Sequence, residues 1–199
     1  MIELELPIDE YITRYPYPPY NEKEDAYFSF RPFFKNVSVK YPNSVGVEIG
    51  VYEGYNSIGV CRFCKPKKLY LVDPYLKYEE VIEGGFDAYS QEDWNALYNR
   101  AVEKLKGLPV EFVCETSERA SILLPDELDY AYLDGNHKID NVVADMDFWY
   151  PKIRSCGMLG GHDILEPEVQ QAVSMWLYKH KEYNNQFFYK WNDWWLFKV

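Results

Sequence analysis

From Val45 onward, short apolar runs recur along the chain, each closing on a glycine or polar residue and most followed by a stretch with helical spacing. Val45, Val47 and Ile49 are β-branched and run into Gly50, which predicts a buried parallel strand over residues 45–50. The same pattern places strands over residues 68–72, 110–114, 128–133 and 157–161. They end respectively at Asp73-Pro74, at Glu115-Thr116-Ser117, at Asp134-Gly135-Asn136-His137 and at His162-Asp163. Apolar residues three and four apart predict helices over 92–106, 139–150 and 166–180, and shorter helices fall at 56–63 and 117–124. Gly107 stops the helix over 92–106, whose inner face carries Trp94, Leu97, Ala101 and Leu105. Residues 186–191 and 194–199 read as two strands joined at Asn192-Asp193. The resulting alternation predicts an α/β, doubly wound, seven-stranded and mostly parallel sheet, to which the C-terminal hairpin adds an antiparallel strand. Such sheets bind ligands beyond the C-terminal ends of their strands, where all the polar strand-end residues just named fall.

Two stretches escape this pattern. Residues 1–43 are rich in Tyr, Pro and Phe, as in Tyr15-Pro16-Tyr17-Pro18-Pro19-Tyr20, and repeated prolines disfavour long helices. They predict an N-terminal arm or lid ahead of a domain over residues 44–199. As an arm the segment packs on the surface; as a lid it brings aromatics such as Tyr17, Tyr20 or Phe34 over a pocket. Residues 75–95 form the other stretch, a connection long enough to carry function. The tyrosines of both suit stacking on a sugar or ring, and equally suit a homodimer contact.

Composition narrows the partners. The chain has 199 residues, enough for one full core, with 18% aromatics. A net charge of −11 argues against a phosphate-backbone partner and for a small-molecule acceptor. No apolar run suits a membrane span, and the acidic start Met1-Ile2-Glu3-Leu4-Glu5 lacks the order of a signal peptide, so a cytoplasmic protein is expected. Cys61 and Cys64 form a Cys-x-x-Cys, but neither a second such pair nor a His pair completes a zinc site. With Cys114 and Cys156 they read as reduced thiols.

The candidate chemistry centres on Glu48-x-Gly50-x-x-x-Gly54-x-x-Ser57. Two glycines after a strand let the backbone turn tightly and approach a ligand. The spacing is not the Gly-x-Gly-x-x-Gly of dinucleotide sites, and a carboxylate at Glu48 repels a pyrophosphate. It suits a ligand with a positive end, such as an amino group or a sulfonium. Asp73, some 20 residues on at the end of the second strand, is placed to accept hydrogen bonds from ribose hydroxyls, or else caps the turn before Pro74. Thr116 and Ser117 meet an adenine edge or, in Ser117, cap a helix.

These motifs together resemble class I S-adenosylmethionine (SAM)-dependent methyltransferases, most closely the group called methyltransferase domain family 24, which is similar to macrolide-sugar O-methyltransferases. The resemblance rests on Val47–Gly54, Leu71–Pro74, Leu133–His137 and Gly157–Asp163. It implies a Rossmann-like sheet with SAM as cofactor. Glu48, Gly50 and Gly54 would hold the methionine end and Ser57 would lie near the carboxylate. Asp73 would bind the ribose, and Thr116 or Ser117 would sit by the adenine, with Asp134 at the cofactor. It further implies a divalent metal ion on Asp134 and Asp163, and His137 as general base. His162 stands where the sugar enzymes carry an acid, which favours softer ions or a metal-free site. A hydroxyl acceptor needs a base or a metal to become a nucleophile, which is the chemistry His137 and Asp134 would serve.

Two other readings compete with O-methylation of a small hydroxylated molecule such as a sugar. His137, His162 and Asp163 form the two-His-one-carboxylate set of a non-haem iron oxygenase. A non-catalytic SAM-binding domain is the third.

Overall fold

The β-branched run Val45–Ile49 forms strand β1 at the centre of the sheet. The computed structural model describes residues 31–77 and 89–199, so Tyr17 and Tyr20 lie outside the described residues. The first described element is a helix, α1 (Pro32–Lys40). After β1 come α2 (Tyr55–Cys64), β2 (Lys68–Val72), α3 (Gln91–Lys104), β3 (Val110–Val113), α4 (Ser117–Leu123) and β4 (Leu128–Leu133). The chain closes with α5 (Ile139–Trp149), β5 (Ile153–Gly161), α6 (Pro167–Lys179), a 3-10 turn, β6 (Phe187–Lys190) and β7 (Asp193–Phe197). The strands lie in the order β3-β2-β1-β4-β5-β7-β6. The first five are parallel, and β7 is antiparallel to both β5 and β6, as the alternation predicts.

Alternate residues of β4 divide the core between the two faces. Ala131 and Leu133 pack with Met146, Trp149 and Trp176 beneath α5 and α6, joined by Leu128 from beyond the irregularity between Leu128 and Tyr130. Tyr130 and Tyr132 point the other way, into a cluster with Phe33, Phe34, Leu69, Leu71 and Trp94. The two central β4 tyrosines are fully buried, which is why the opposite layer is so aromatic.

Four sequence expectations change here. Residues 32–40 are helical: Pro32 stands at the first turn, where its missing N–H costs nothing. Phe34 is therefore buried core rather than a pocket aromatic. Strand β5 starts at Ile153 rather than 157: Ile153 pairs with Leu128 and Met158 with Tyr130, and the polar Arg154-Ser155-Cys156 stretch between them, with Cys156 at φ 60, bulges out of the ladder. The final turn is Trp191-Asn192, with Trp191 at φ 55, and Asp193 is a buried residue of β7. All four cysteines are free thiols, Cys61 and Cys64 being buried. No helix among the described residues is long and apolar enough to cross a membrane.

Helix α3 begins with a capping box. Asp93 N–H donates to Ser90 Oγ at 3.2 Å, and Ser90 N–H donates to Asp93 Oδ2 at 2.8 Å. Ser90→Ala is expected to cost about 1 kcal/mol. That lowers the melting temperature by about 2–4 °C in a chain of this size, measured by thermal unfolding. An unchanged midpoint would show that the cap is not formed in solution.

Candidate active site

One residue past the end of each of four strands, a backbone N–H carries the ladder one rung beyond the sheet. Asp73 donates to Val113 O at 3.3 Å, Gly50 to Val72 O at 2.9 Å, Asp134 to Ile49 O at 2.8 Å and His162 to Leu133 O at 3.0 Å. The sequence-predicted residues are thereby stitched into one row along the C-terminal edge. Above the row opens a cavity of about 930 Å3, lined by Glu48, Gly50, Asp73, Ser117, Asp134 and His137 among others. Its size suits a cofactor together with part of an acceptor.

At one end lies Glu48, 1% exposed. Asn56 Nδ2 donates to its Oε1 at 2.9 Å and Ser57 Oγ to its Oε2 at 2.7 Å. Burial pushes the Glu48 carboxyl up to about 7, against the pull of these two bonds, while Asp134 adds to the rise and Arg31 opposes it. Ser57 is thus a partner of Glu48 and is itself fully buried. Gly50 has φ +85, and a Cβ there would overlap the backbone carbonyl of Asp134, so only glycine lets the two strand ends touch. Gly54 is the N-cap of α2 at φ +74, where a Cβ would press on the Leu105 side chain at 2.8 Å.

Asp73 serves the same loop. Its Oδ2 accepts from Val51 N–H at 3.0 Å and Tyr52 N–H at 2.9 Å, and its Oδ1 accepts from Tyr75 N–H at 3.0 Å. Burial raises its pKa and the three N–H groups pull it back. The residue lines the cavity and clamps the loop beyond β1, so the ordering of that loop is a role the spacing argument did not include. Thr116, not Ser117, is the N-cap of α4, accepting from Arg119 N–H at 3.3 Å. Ser117 Oγ instead accepts from Trp149 Nε1 at 2.8 Å, and it also bonds Asp145, whose carboxyl burial pushes up to about 7. Both Thr116 and Ser117 line the cavity.

The other end is a cluster of acids and imidazoles. His137 holds Glu166 Oε2 at 3.1 Å through Nδ1 and faces Asp163 Oδ2 at 3.3 Å with Nε2. His162 Nδ1 lies 2.9 Å from Asp163 Oδ1 and 3.8 Å from Asp134 Oδ1. Burial works to raise the Asp163 carboxyl, but the hydrogen bond and charge of His162, with the charges of His137 and Arg31, outweigh it and hold the group below its usual range. Ligating atoms of Asp134, His162 and Asp163 come within 4.8 Å of one another, and so do those of His137, Asp163 and Glu166. One imidazole and two carboxylates fit a divalent ion of borderline softness. The geometry therefore brings together all four sequence-predicted residues of this end.

Three neighbours were not found from the sequence. Glu166 stands at the N-cap position of α6 without capping it and turns its carboxylate to His137; its spacing, three residues past Asp163, was the available signal. Asp193 accepts from Phe33 N–H at 2.9 Å and Tyr132 Oη at 2.8 Å, and burial pushes it up to about 6. Arg31 donates from Nη1 to Asp134 Oδ2 at 2.6 Å and to Tyr132 Oη at 2.8 Å. These two residues close on the site from segments far apart in sequence, and no local motif announces either.

A family model described as Methyltransferase domain matches residues 47–164. Among solved structures, the O-methyltransferase NovP superposes with a TM-score of 0.58 at 16% identity, over 84% of this chain and 79% of its own. The SAH-bound methyltransferase PaMTH1 of Podospora anserina gives 0.58 at 14% identity, over 96% and 84%. An rRNA methylase from Streptococcus thermophilus gives 0.56 at 14%, over 86% and 99%. At these identities the likeness is one of fold. No curated protein matches the chain.

Proposed function

Because the chain belongs to the methyltransferase domain family and is a SAM-dependent methyltransferase, we propose that it methylates the oxygen of a small hydroxylated molecule such as a sugar, with His137 as the base. The observation that carries this reading is one cavity joining a buried carboxylate, Glu48, to a histidine braced by two carboxylates, His137.

SAM supplies a methyl group already activated on a sulfonium, so the chain's task is to hold, orient and deprotonate. Glu48 takes the ammonium of the methionine end. Ser57 and Asn56 fix its carboxylate, and Gly50 lets the ligand lie close to the backbone. His137 takes the acceptor's hydroxyl proton. Glu166 holds the ring through Nδ1 at 3.1 Å, so that Nε2 is the nitrogen presented to the acceptor. Asp134, His162 and Asp163 would hold a divalent ion, whose Lewis acidity would lower the acceptor's pKa. The acidity of the chain, −11 overall, supports a small uncharged acceptor over RNA.

The iron-oxygenase reading of His137, His162 and Asp163 is set aside, since the family match spans the strand ends that carry these residues. The test is incubation of the protein with methyl-labelled SAM and a panel of hydroxylated acceptors and RNA, with and without EDTA. Label on an acceptor oxygen is expected. Label on RNA alone would overturn the acceptor class, and tight SAH binding with no transfer to anything would leave the non-catalytic domain. Loss of transfer with EDTA at unchanged SAH affinity is the signature of the ion; unchanged transfer removes it.

A further inference from the structure

Arg31 has more hydrogen-bonding capacity than its partners among the described residues use. Its side chain is 19% exposed and forms part of the cavity wall. Nη1 serves both Asp134 and Tyr132, and the guanidinium lies 5.5 Å from the centre of the Tyr132 ring. Among the described residues nothing accepts from Nη2 or Nε. Burial works against its charge, but Tyr132 and Asp134 outweigh that and keep it protonated. A guanidinium whose Nη2–Nε edge meets no acceptor among the described residues, in a largely desolvated wall, fits a planar oxyanion, which it binds with two parallel N–H bonds.

The cavity restricts which anion this is. Its described lining carries eight carboxylates against Arg31, Lys138 and His137, so it disfavours a freely diffusing anionic acceptor. SAM, however, carries its own carboxylate on the carbon that bears the ammonium. If Glu48 takes the ammonium, the partner of the carboxylate must stand close by. Arg31 and Glu48 line the same cavity, and Glu48 is the register partner of Tyr132 on β4, the residue Arg31 bonds together with Asp134. Ser57, to which the resemblance gave the carboxylate, already donates its hydroxyl to Glu48.

We propose that Arg31 binds the methionine carboxylate of SAM through its Nη2–Nε edge while Nη1 holds Asp134, so that one guanidinium ties the cofactor to the transfer end of the site. This rests on the SAM-binding reading above. It adds a cofactor residue contributed from before the matched region, which begins at residue 47.

The experiment is calorimetric titration of the full chain with SAH and with its decarboxylated analogue, S-adenosyl-3-thiopropylamine, which keeps the amine. Wild type is expected to favour SAH by about 30-fold, as for hydrogen bonds to a charged group. Arg31→Ala should lose that preference, weakening SAH by about 30-fold and the analogue by less than about 3-fold. Arg31→Lys should fall between, since a point charge keeps attraction and loses the fork. Retained binding of the analogue certifies that the variant is folded. Equal weakening of both ligands would overturn the proposal and leave Arg31 a structural partner of Asp134, as would an unchanged preference. Wild type that binds neither ligand would remove the SAM reading itself, an outcome distinct from either.

Discussion

Glu48→Gln is expected to lower SAM affinity by at least about 100-fold and to leave the protein folded. Removing one partner of a buried charge pair costs several kcal/mol, because the ligand's ammonium loses its counter-charge in a dry site. The fold tolerates the change. A glutamine accepts from Asn56 through its oxygen and donates to the Ser57 hydroxyl through its amide, so neither neighbour of the 1% exposed side chain is orphaned. The pH dependence gives a second, independent readout. Burial raises the Glu48 carboxyl to about 7 from an ordinary 4.5, so the folded chain favours the neutral acid. Its contribution to stability is complete below about 4.5 and is lost as pH rises through 7. SAM binding needs the ionised form, so wild-type affinity should fall up to about tenfold per pH unit below 7, and the variant should lose this slope. Asp145, pushed to about 7 by the same cause, keeps its own part of the stability profile in both proteins. Calorimetry and thermal unfolding between pH 5 and 8 measure both effects. Equal affinities in the two proteins would remove Glu48 from the cofactor site.

His137→Ala is expected to slow methyl transfer by about 10²–10⁴ while changing SAH affinity little, the range for a positioned general base. The ring's orientation is set at Nδ1 by Glu166 at 3.1 Å, which leaves Nε2, facing Asp163 at 3.3 Å, as the nitrogen that takes the proton. Glu166→Gln should therefore slow transfer as well, by roughly a tenth of that effect in magnitude, since an amide still holds the ring but stabilises the imidazolium less. The distinguishing measurement is partial rescue of His137→Ala by added imidazole. A rate within a few-fold of wild type would assign the proton to another acceptor.

The parts of this site legible in the sequence share one property: each lies beside a strand end. Gly50, Asp73, Asp134 and His162 could be read because an apolar run fixes where a strand stops, and the fold fixes what stands there. What escaped depends on contacts across long separations. Arg31 meets Asp134 across 103 residues, and Asp193 meets Phe33 across 160. Helix α1 was hidden by the prolines before it, although Pro32 is tolerated where a helix starts. The hairpin was placed one residue late because Asn-Asp outranks Trp-Asn as a turn pair; burial of Asp193 against Tyr132 decides the register instead.

The stitched row also works as a ruler. Adjacent strands stand roughly 4.8 Å apart, so Asp73 and His162, separated by three strand spacings, lie on the order of 14 Å from each other along the edge. The increments come from the peptide ladder, not from side chains, and so survive substitution at the marks other than Gly50, where a Cβ would meet the Asp134 carbonyl. Chemistry can then be rewritten mark by mark, an acid exchanged for His162, for example, without moving the neighbouring mark. The span over which a methyl donor is laid out is inherited from the backbone, while the identity of what receives the methyl is free to drift.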